Sequence, residues 1–362
     1  MSSGYASLPN TPNFLGMLFN TNVNKTQFLS MIGGVDGANA LITTNPEFPI
    51  SVKYALDNPS QPAITEAASV GAASPTYFGL SQDSNVIQIF QEDVTVSRLR
   101  ERASGRLSGI NTAGMTPEQS DEEALQIMLH LEKMKRDMNY TAINGVFANG
   151  GLTNSAVALK TRGILAAIAS NIVVGALDAD NIDLIVRKVF DKGAFETPTF
   201  FVNSANKIAL SKLFFTEKLT EVERNRFMAG VAVEALVTDF GRTIYIVVDN
   251  DIPSDTILLA DISFVRPVFT LDRESGQVIT VKPLSQRGGA SHEIYAEFGL
   301  DHGAEFMHAK LLVGTVTAWE TSTAYVAGVY VTQGGFTYKC LTSHTSGTFA
   351  TDLAASKWVL IV

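Results

Sequence analysis

Cys340 is the only cysteine in a chain of 362 residues. A single thiol excludes an intrachain disulfide framework and a cysteine-cluster zinc site, and it suits a reducing compartment. Charge is scarce as well. Only 17% of residues are Asp, Glu, Lys or Arg, against about 25% in ordinary soluble domains. A large monomer core and extensive burial between subunits would each account for that. The formal net charge of −9 argues against a whole-chain footprint for nucleic acid and leaves room only for a local basic patch. Long hydrophobic runs are missing too. The most apolar stretch, Ile164 to Leu177, is interrupted by Ser170 and Asn171 and is too short to span a bilayer. The first residues, MSSGYASLPN, lack the basic region and apolar run of a signal peptide. The expectation is a soluble, intracellular product with no membrane partner.

Catalytic patterns are also absent. There is no Walker sequence, no GxGxxG after a strand, no GxSxG and no HExxH. His302 and His308 flank GAEFM on an expected strand. Six residues apart on one face of a regular strand, they would stand about 20 Å from each other at 3.3 Å per residue, too far for one metal. Both read as structural. Asp249, Asp251 and Asp255 in VDNDIPSD lack the glycine and the acidic twelfth residue of a calcium loop, so they read as a turn between strands. No nucleophile, base and orienting group stand out together. No catalytic, cofactor or metal site is assigned, and a non-enzymatic role is expected.

What the sequence does contain is a clear order of elements. Residues 1–45 are rich in Asn, Thr, Gly and Ser with scattered anchors (Phe14, Leu18, Phe28, Ile32), an arm that needs another surface. Within 46–97, Ile50, Val52, Tyr54 and Leu56 alternate with polar or small residues, and Val86 to Val96 reads as a second strand. A two-stranded hairpin is marginal alone in water, so it too needs a surface. Its balance is acidic: Lys53 stands against Glu47, Asp57, Glu66, Asp83, Glu92 and Asp93. Arg98, Arg100, Arg102 and Arg106 follow, with Glu101 among them. They suit either a phosphate backbone or a subunit contact that would receive Glu66, Glu92 and Asp93 of a neighbour.

Ser120 with Glu123 is a capping-box pattern. Ala124, Ile127, Met128, Leu131, Met134, Met138 and Ala142 recur at helical spacing, which predicts a spine helix over about 120–146, roughly 35 to 40 Å long at 1.5 Å per residue. Residues 180–270 alternate helical and strand patterns, one α+β unit. GQVITVKPL and SHEIYAEFGLDHGAEFMHAKLLVG read as long strands. After Gly314 the composition shifts. Residues 316–362 hold both tryptophans, Trp319 and Trp358, with Tyr325, Tyr330, Phe336 and Tyr338, and read as a small β module.

The order of acidic β arm, RASGRLSGINTAGM, the spine DEEALQIMLHLEKMKRDMNYTAINGVFANG and TRGILAAIAS resembles the major head proteins of tailed bacteriophages with the Hong Kong 97-type capsid fold. DTILLADISFVRPVFTLDRESGQVITV and YAEFGLDHGAEFMHAKLLVG resemble their closing strands. The sequence departs from the pattern at Asn139, where an acidic residue is expected, and after Gly163, where an aromatic is common. The resemblance implies an α+β fold with an N-terminal arm (1–45), an extended loop (46–97), a peripheral domain carrying the spine (98–179 and 271–314) and an axial domain (180–270). It implies a virion shell subunit that forms hexamers and pentamers around genomic DNA. Its partners would be further copies, a portal, scaffold or cement proteins, and DNA held weakly and non-specifically. It would occupy the host cytoplasm before assembly. A bacterial nanocompartment shell and a polysaccharide-binding α+β protein are the alternatives. The terminal module is similar to chitin-binding-type carbohydrate modules in the spacing of Trp319, Tyr325-x-x-Gly328 and Gly335-x-x-Tyr338. That makes Trp319, Tyr325, Tyr338 and Trp358 candidates either for contact with a host glycan or for the module's own core.

Overall fold

The computed structural model describes residues 26–34, 39–54, 60–71, 77–97, 122–150, 156–193, 196–217, 235–238, 240–284 and 289–361. In chain order, α1 (Gln27–Met31) and β1 (Leu41–Ile42) precede a hairpin of β2 (Glu47–Tyr54) and β3 (Leu80–Val86), with α2 (Glu66–Ser69) between its strands. Next come β4 (Gln88–Ser97), the long α3 (Glu122–Asn144), α4 (Ile164–Ala167), β5 (Ile172–Gly175) and α5 (Ala179–Phe190). They are followed by β6 (Pro198–Val202), α6 (Ser204–Glu217), β7 (Ala235–Val237), β8 (Thr243–Val248) and β9 (Thr256–Asp261). The body closes with β10 (Arg266–Phe269), β11 (Ile279–Pro283), β12 (Gly289–Asp301) and β13 (Ala309–Val313). The tail holds β14 (Val316–Ala318), β15 (Ala324–Tyr325), β16 (Tyr330–Gln333), β17 (Phe336–Cys340), β18 (His344–Thr345), α7 (Phe349–Ala354) and β19 (Trp358–Leu360).

Two sheets make the body, named peripheral and axial after the domains expected of them. The peripheral sheet runs β1-β10-β12-β11, and β4 pairs along the other edge of β12 from Gly289↔Ser97 to Phe298↔Gln88. Along β4 the side chains alternate, so Phe90, Val94 and Val96 are buried while Ile89, Gln91, Asp93 and Thr95 face outward. Helix α3 covers the buried face, where Met134, Met138, Ala142 and Ile143 join Phe90, Ile294 and Phe298 in one core. The expected apolar stripe is therefore buried in its second half only. Met128 is 53% exposed, and the earlier turns are held to the sheet by polar pairs, Glu123 to His292 at 3.3 Å and His130 to Glu92 at 3.2 Å.

The axial sheet runs β5-β13-β9-β6-β8-β7. Asp178 caps α5 by accepting from the Asn181 N–H at 2.8 Å, and the helix buries Ile182, Ile185, Val186 and Val189 against Phe200, Val202, Ile244 and Leu311. Sheet membership does not keep to the expected range of 180–270. β5 and β13 lie outside that range yet belong to the axial sheet, and β10 lies inside it yet belongs to the peripheral one. A short apolar strand does not carry its partner's identity, because pairing is non-local.

The expected strand through His302 and His308 is corrected. β12 ends at Asp301, Gly303 turns the chain at φ +63°, and a 3-10 turn (Glu305–Met307) follows. His308 Nε2 comes within 2.7 Å of the His302 carbonyl oxygen rather than standing some 20 Å away. Close backbone approach explains Gly163. Its N–H donates to the Gly145 carbonyl at 2.9 Å, and an added Cβ would lie 2.4 Å from the Gly145 nitrogen.

Candidate functional site: assembly surfaces and terminal module

The hairpin is fixed at its base and bare beyond it. Asn85, fully buried, donates from Nδ2 to the carbonyls of Arg162 (3.1 Å) and Leu300 (2.8 Å). Its Oδ1 accepts from the N–H groups of Val86 (2.9 Å) and Arg162 (2.8 Å). Two donors and two lone pairs are thus all used. Phe48, Ile87 and Val268 form a small apolar cluster beside it, with Phe48 packed so close to Gly299 that an added Cβ would lie 2.8 Å from its ring. Farther out, Tyr54, Ile64, Phe78 and Leu80 are exposed, Val70 is 88% exposed and Tyr77 91%. Large apolar side chains gathered on one projection mark an interaction surface.

The acidic candidates separate. Glu66 sits in the first turn of exposed α2. Glu92 is engaged within its own chain: Lys133 donates to Oε1, and His130 lies at Oε2. The hydrogen bond from Lys133 holds its carboxyl below the usual range. Offering Glu92 to a neighbour would compete with that pairing. Asp93 is exposed and stands directly opposite Glu293 in the sheet register, a like-charge pair that favours a cation laid across it. Arg98, Arg100, Arg102 and Arg106 lie outside the described residues.

A polar node missed in the sequence ties the N-terminal segment to the body. Buried Asp249 accepts from the Phe28 N–H at 3.0 Å and from Asn139 Nδ2 at 3.1 Å, while Asn139 Oδ1 accepts from the Leu29 N–H at 2.9 Å. Asn139 Nδ2 also reaches Asp251 at 2.6 Å. The departure at Asn139 is chemically consistent, since an amide can donate to these two carboxylates where a third carboxylate would repel them. Phe28 then seats edge-on against Phe201 at 5.0 Å.

In the terminal module, the four-stranded sheet β14-β16-β17-β19 uses both faces. One face carries Val331, Cys340 and Trp358, which form a core with Tyr325, against which Trp319, Tyr338 and Phe349 pack. Tyr325 meets Trp358 edge-on at 5.1 Å, and Phe349 meets Tyr338 at 4.7 Å and Trp319 at 5.5 Å. Tyr325 (7% exposed) and Trp358 (3%) have no free ring face, so their assignment as glycan contacts is corrected to core residues. Trp319 and Tyr338 are half-buried. The other face docks on the body. Tyr330 lies on Gly314, where an added Cβ would be 2.7 Å from its ring, and Lys339 reaches Asp255 at 3.3 Å.

Cys340, His344 and Asp352 superficially resemble a catalytic trio. His344 Nδ1 is 3.8 Å from the sulfur but 2.7 Å from the Thr342 carbonyl, and Nε2 is 3.6 Å from Asp352. Cys340 is buried, and burial pushes its thiol pKa up, the opposite of what an attacking thiolate requires. Among the described residues no group of three His, Cys, Asp or Glu side chains is placed to hold a metal, and no helix is long and apolar enough to cross a membrane.

Comparison with known proteins agrees with this geometry. The solved capsid of cyanophage A-1(L) is 11% identical with a TM-score of 0.56, covering 84% of this chain and 97% of that one. The capsid of a native GTA particle is 14% identical with a TM-score of 0.53, covering 86% and 97%. The capsid of the myovirus XM1 is 13% identical with a TM-score of 0.50, covering 82% and 95%. At such identities the likeness establishes the capsid fold. No curated protein matches the chain by sequence. Residues 318–356 match carbohydrate-binding module family 5/12, and residues 2–315 match the SU10 major capsid protein model. Most of the chain falls within that second match, and the chain therefore belongs to the SU10 major capsid protein family.

Proposed function

We propose that this capsid subunit assembles into the hexamers and pentamers of an icosahedral head around the phage genome, with the β2–β3 hairpin of each subunit lying on its neighbour. The observation that carries this reading is the bare apolar projection from Tyr54 to Leu80, which finds no cover within the described residues of its own chain. The segment from Arg98 to Arg106 of a neighbour supplies the opposite charge for Glu66 and Asp93. Portal, scaffold or cement proteins would meet the same shell, and DNA would touch it weakly and without sequence preference. Folding in the host cytoplasm and residence in the virion follow from this role. A nanocompartment shell would share the fold, but the match over residues 2–315 favours the phage head. Negative-stain images of the expressed protein test the reading: shells or capsomers are expected, and a preparation of monomers only would overturn it.

The family match of residues 318–356 favours a second role, with the module on the shell exterior holding a host glycan through the remaining free area of Trp319 and Tyr338. Pull-down of shells on chitin or cell-wall polysaccharide, with and without residues 316–362, tests it. Equal retention would leave contact between subunits as the module's role.

A further inference from the structure

Three chain crossings join the axial and peripheral sheets, and His308 lies where they meet. The first crossing leads from α4 to β5, the second from β9 to β10, and the third, residues 302–308, from β12 to β13. Asn171 on the first donates to the Phe306 carbonyl (2.8 Å) and the His308 carbonyl (3.1 Å) of the third, and the Ala169 N–H donates to Glu305 at 3.1 Å. The Asp261 N–H at the start of the second crossing donates to His308 Nδ1 at 3.2 Å. That bond fixes the tautomer. Nδ1 is the acceptor, so Nε2 carries the proton and donates to the His302 carbonyl at 2.7 Å. Gly303 presses on Phe264 of the second crossing, where an added Cβ would lie 2.8 Å from its carbonyl oxygen. Both imidazoles are almost wholly buried.

We propose that His302 and His308 form an acid-sensitive hinge: protonating His308 sets an N–H on Nδ1 against the Asp261 N–H, breaks the tie between two crossings and frees the axial sheet to move against the peripheral one. The charged surroundings compensate only in part: the Asp261 carboxylate favours a charged His308 and Asp83 a charged His302, but burial outweighs both. His302 faces Arg162, Asp83 and His308 itself. The Asp261 carboxylate nearest His308 is already taken by Glu196, Thr197 and Ser263, and those hydrogen bonds hold it ionised below its usual range in spite of burial. Asp301, which turns back to accept from the Gly303 N–H, and Glu305, bound to Ala169, belong to the same connection. Lys310, two residues on, donates to the Leu165 carbonyl at 2.8 Å and adds positive charge. Burial lowers both histidines to about 4. A histidine depressed in the folded state gives stability that is full above the unfolded value near 6.5 and is lost as pH falls toward the folded value. The hinge therefore holds at neutral pH and loosens between about pH 6.5 and 4.

Hydrogen exchange of the full chain from pH 7 to pH 4, with each rate divided by its intrinsic value, tests this. The amides of 261–265 and 302–308 should open before those of 256–260 in β9 and those of β12, and His308→Asn, which keeps an acceptor near Nδ1 without titrating, should lower the opening midpoint by about one pH unit. If that variant does not fold, the wild-type exchange order decides together with His302→Phe, which removes one titrating group. Uniform opening of the whole chain, or a midpoint unchanged in the variants that fold, would overturn the proposal.

Discussion

The hairpin and the terminal module start from the same difficulty and meet it differently. Each is too small to bury its aromatics alone. The module meets it within its own chain, with Trp358 and Tyr325 sunk into a local core and Tyr330 pressed onto Gly314 of the body. The hairpin is anchored through Asn85 and Phe48 but leaves Tyr77 and Val70 almost fully exposed. The same residue types thus mark a finished surface in one region and an unfinished one in the other. On the function proposed above, a second copy completes the unfinished surface.

Trp358→Ala should show the largest effect. Emptying that site should destabilise the module by about 3–5 kcal/mol, read as early loss of tail protection in thermal melts followed by proteolysis, with the body unchanged. Asn85→Ala removes four hydrogen bonds at the hairpin base, two of them fully buried, and leaves the Arg162 and Leu300 groups unpaired. A loss of about 1–3 kcal/mol is expected in chemical denaturation. Lys339→Ala tests the docking face and should cost only about 0.2–1 kcal/mol, because the pair with Asp255 is partly exposed and screened by salt. The smallest effect on the free subunit belongs to the double change Val70→Ser with Tyr77→Ser, within about 0.5 kcal/mol. The same pair should abolish shells in negative-stain images, and normal assembly would remove the hairpin from the contact.

The sequence made the helices and the strand alternation legible because both depend on local spacing. The apolar positions of α3 and the period-two pattern of β4 follow from the chain itself. Sheet membership was not legible, since β5 and β13 find partners far away in sequence. Nor were Asn85, Asp249 and His308, polar residues whose place in the interior depends on partners up to 221 positions distant. The aromatics of the tail showed that a module exists but not which rings face inward. That depends on the register in which Cys340 pairs with Trp358 and Val331 with Tyr338.

The central claim is that the hairpin is completed by a neighbouring subunit. Hydrogen exchange across 47–54 and 80–86, compared between free subunits and assembled shells of the same preparation, tests it most directly. The account predicts rapid exchange in the free subunit beyond the anchored base, at 52–54 and 80–82, and strong protection there in the shell, with β12 equally protected in both. Equal protection of the hairpin in the two states would contradict it.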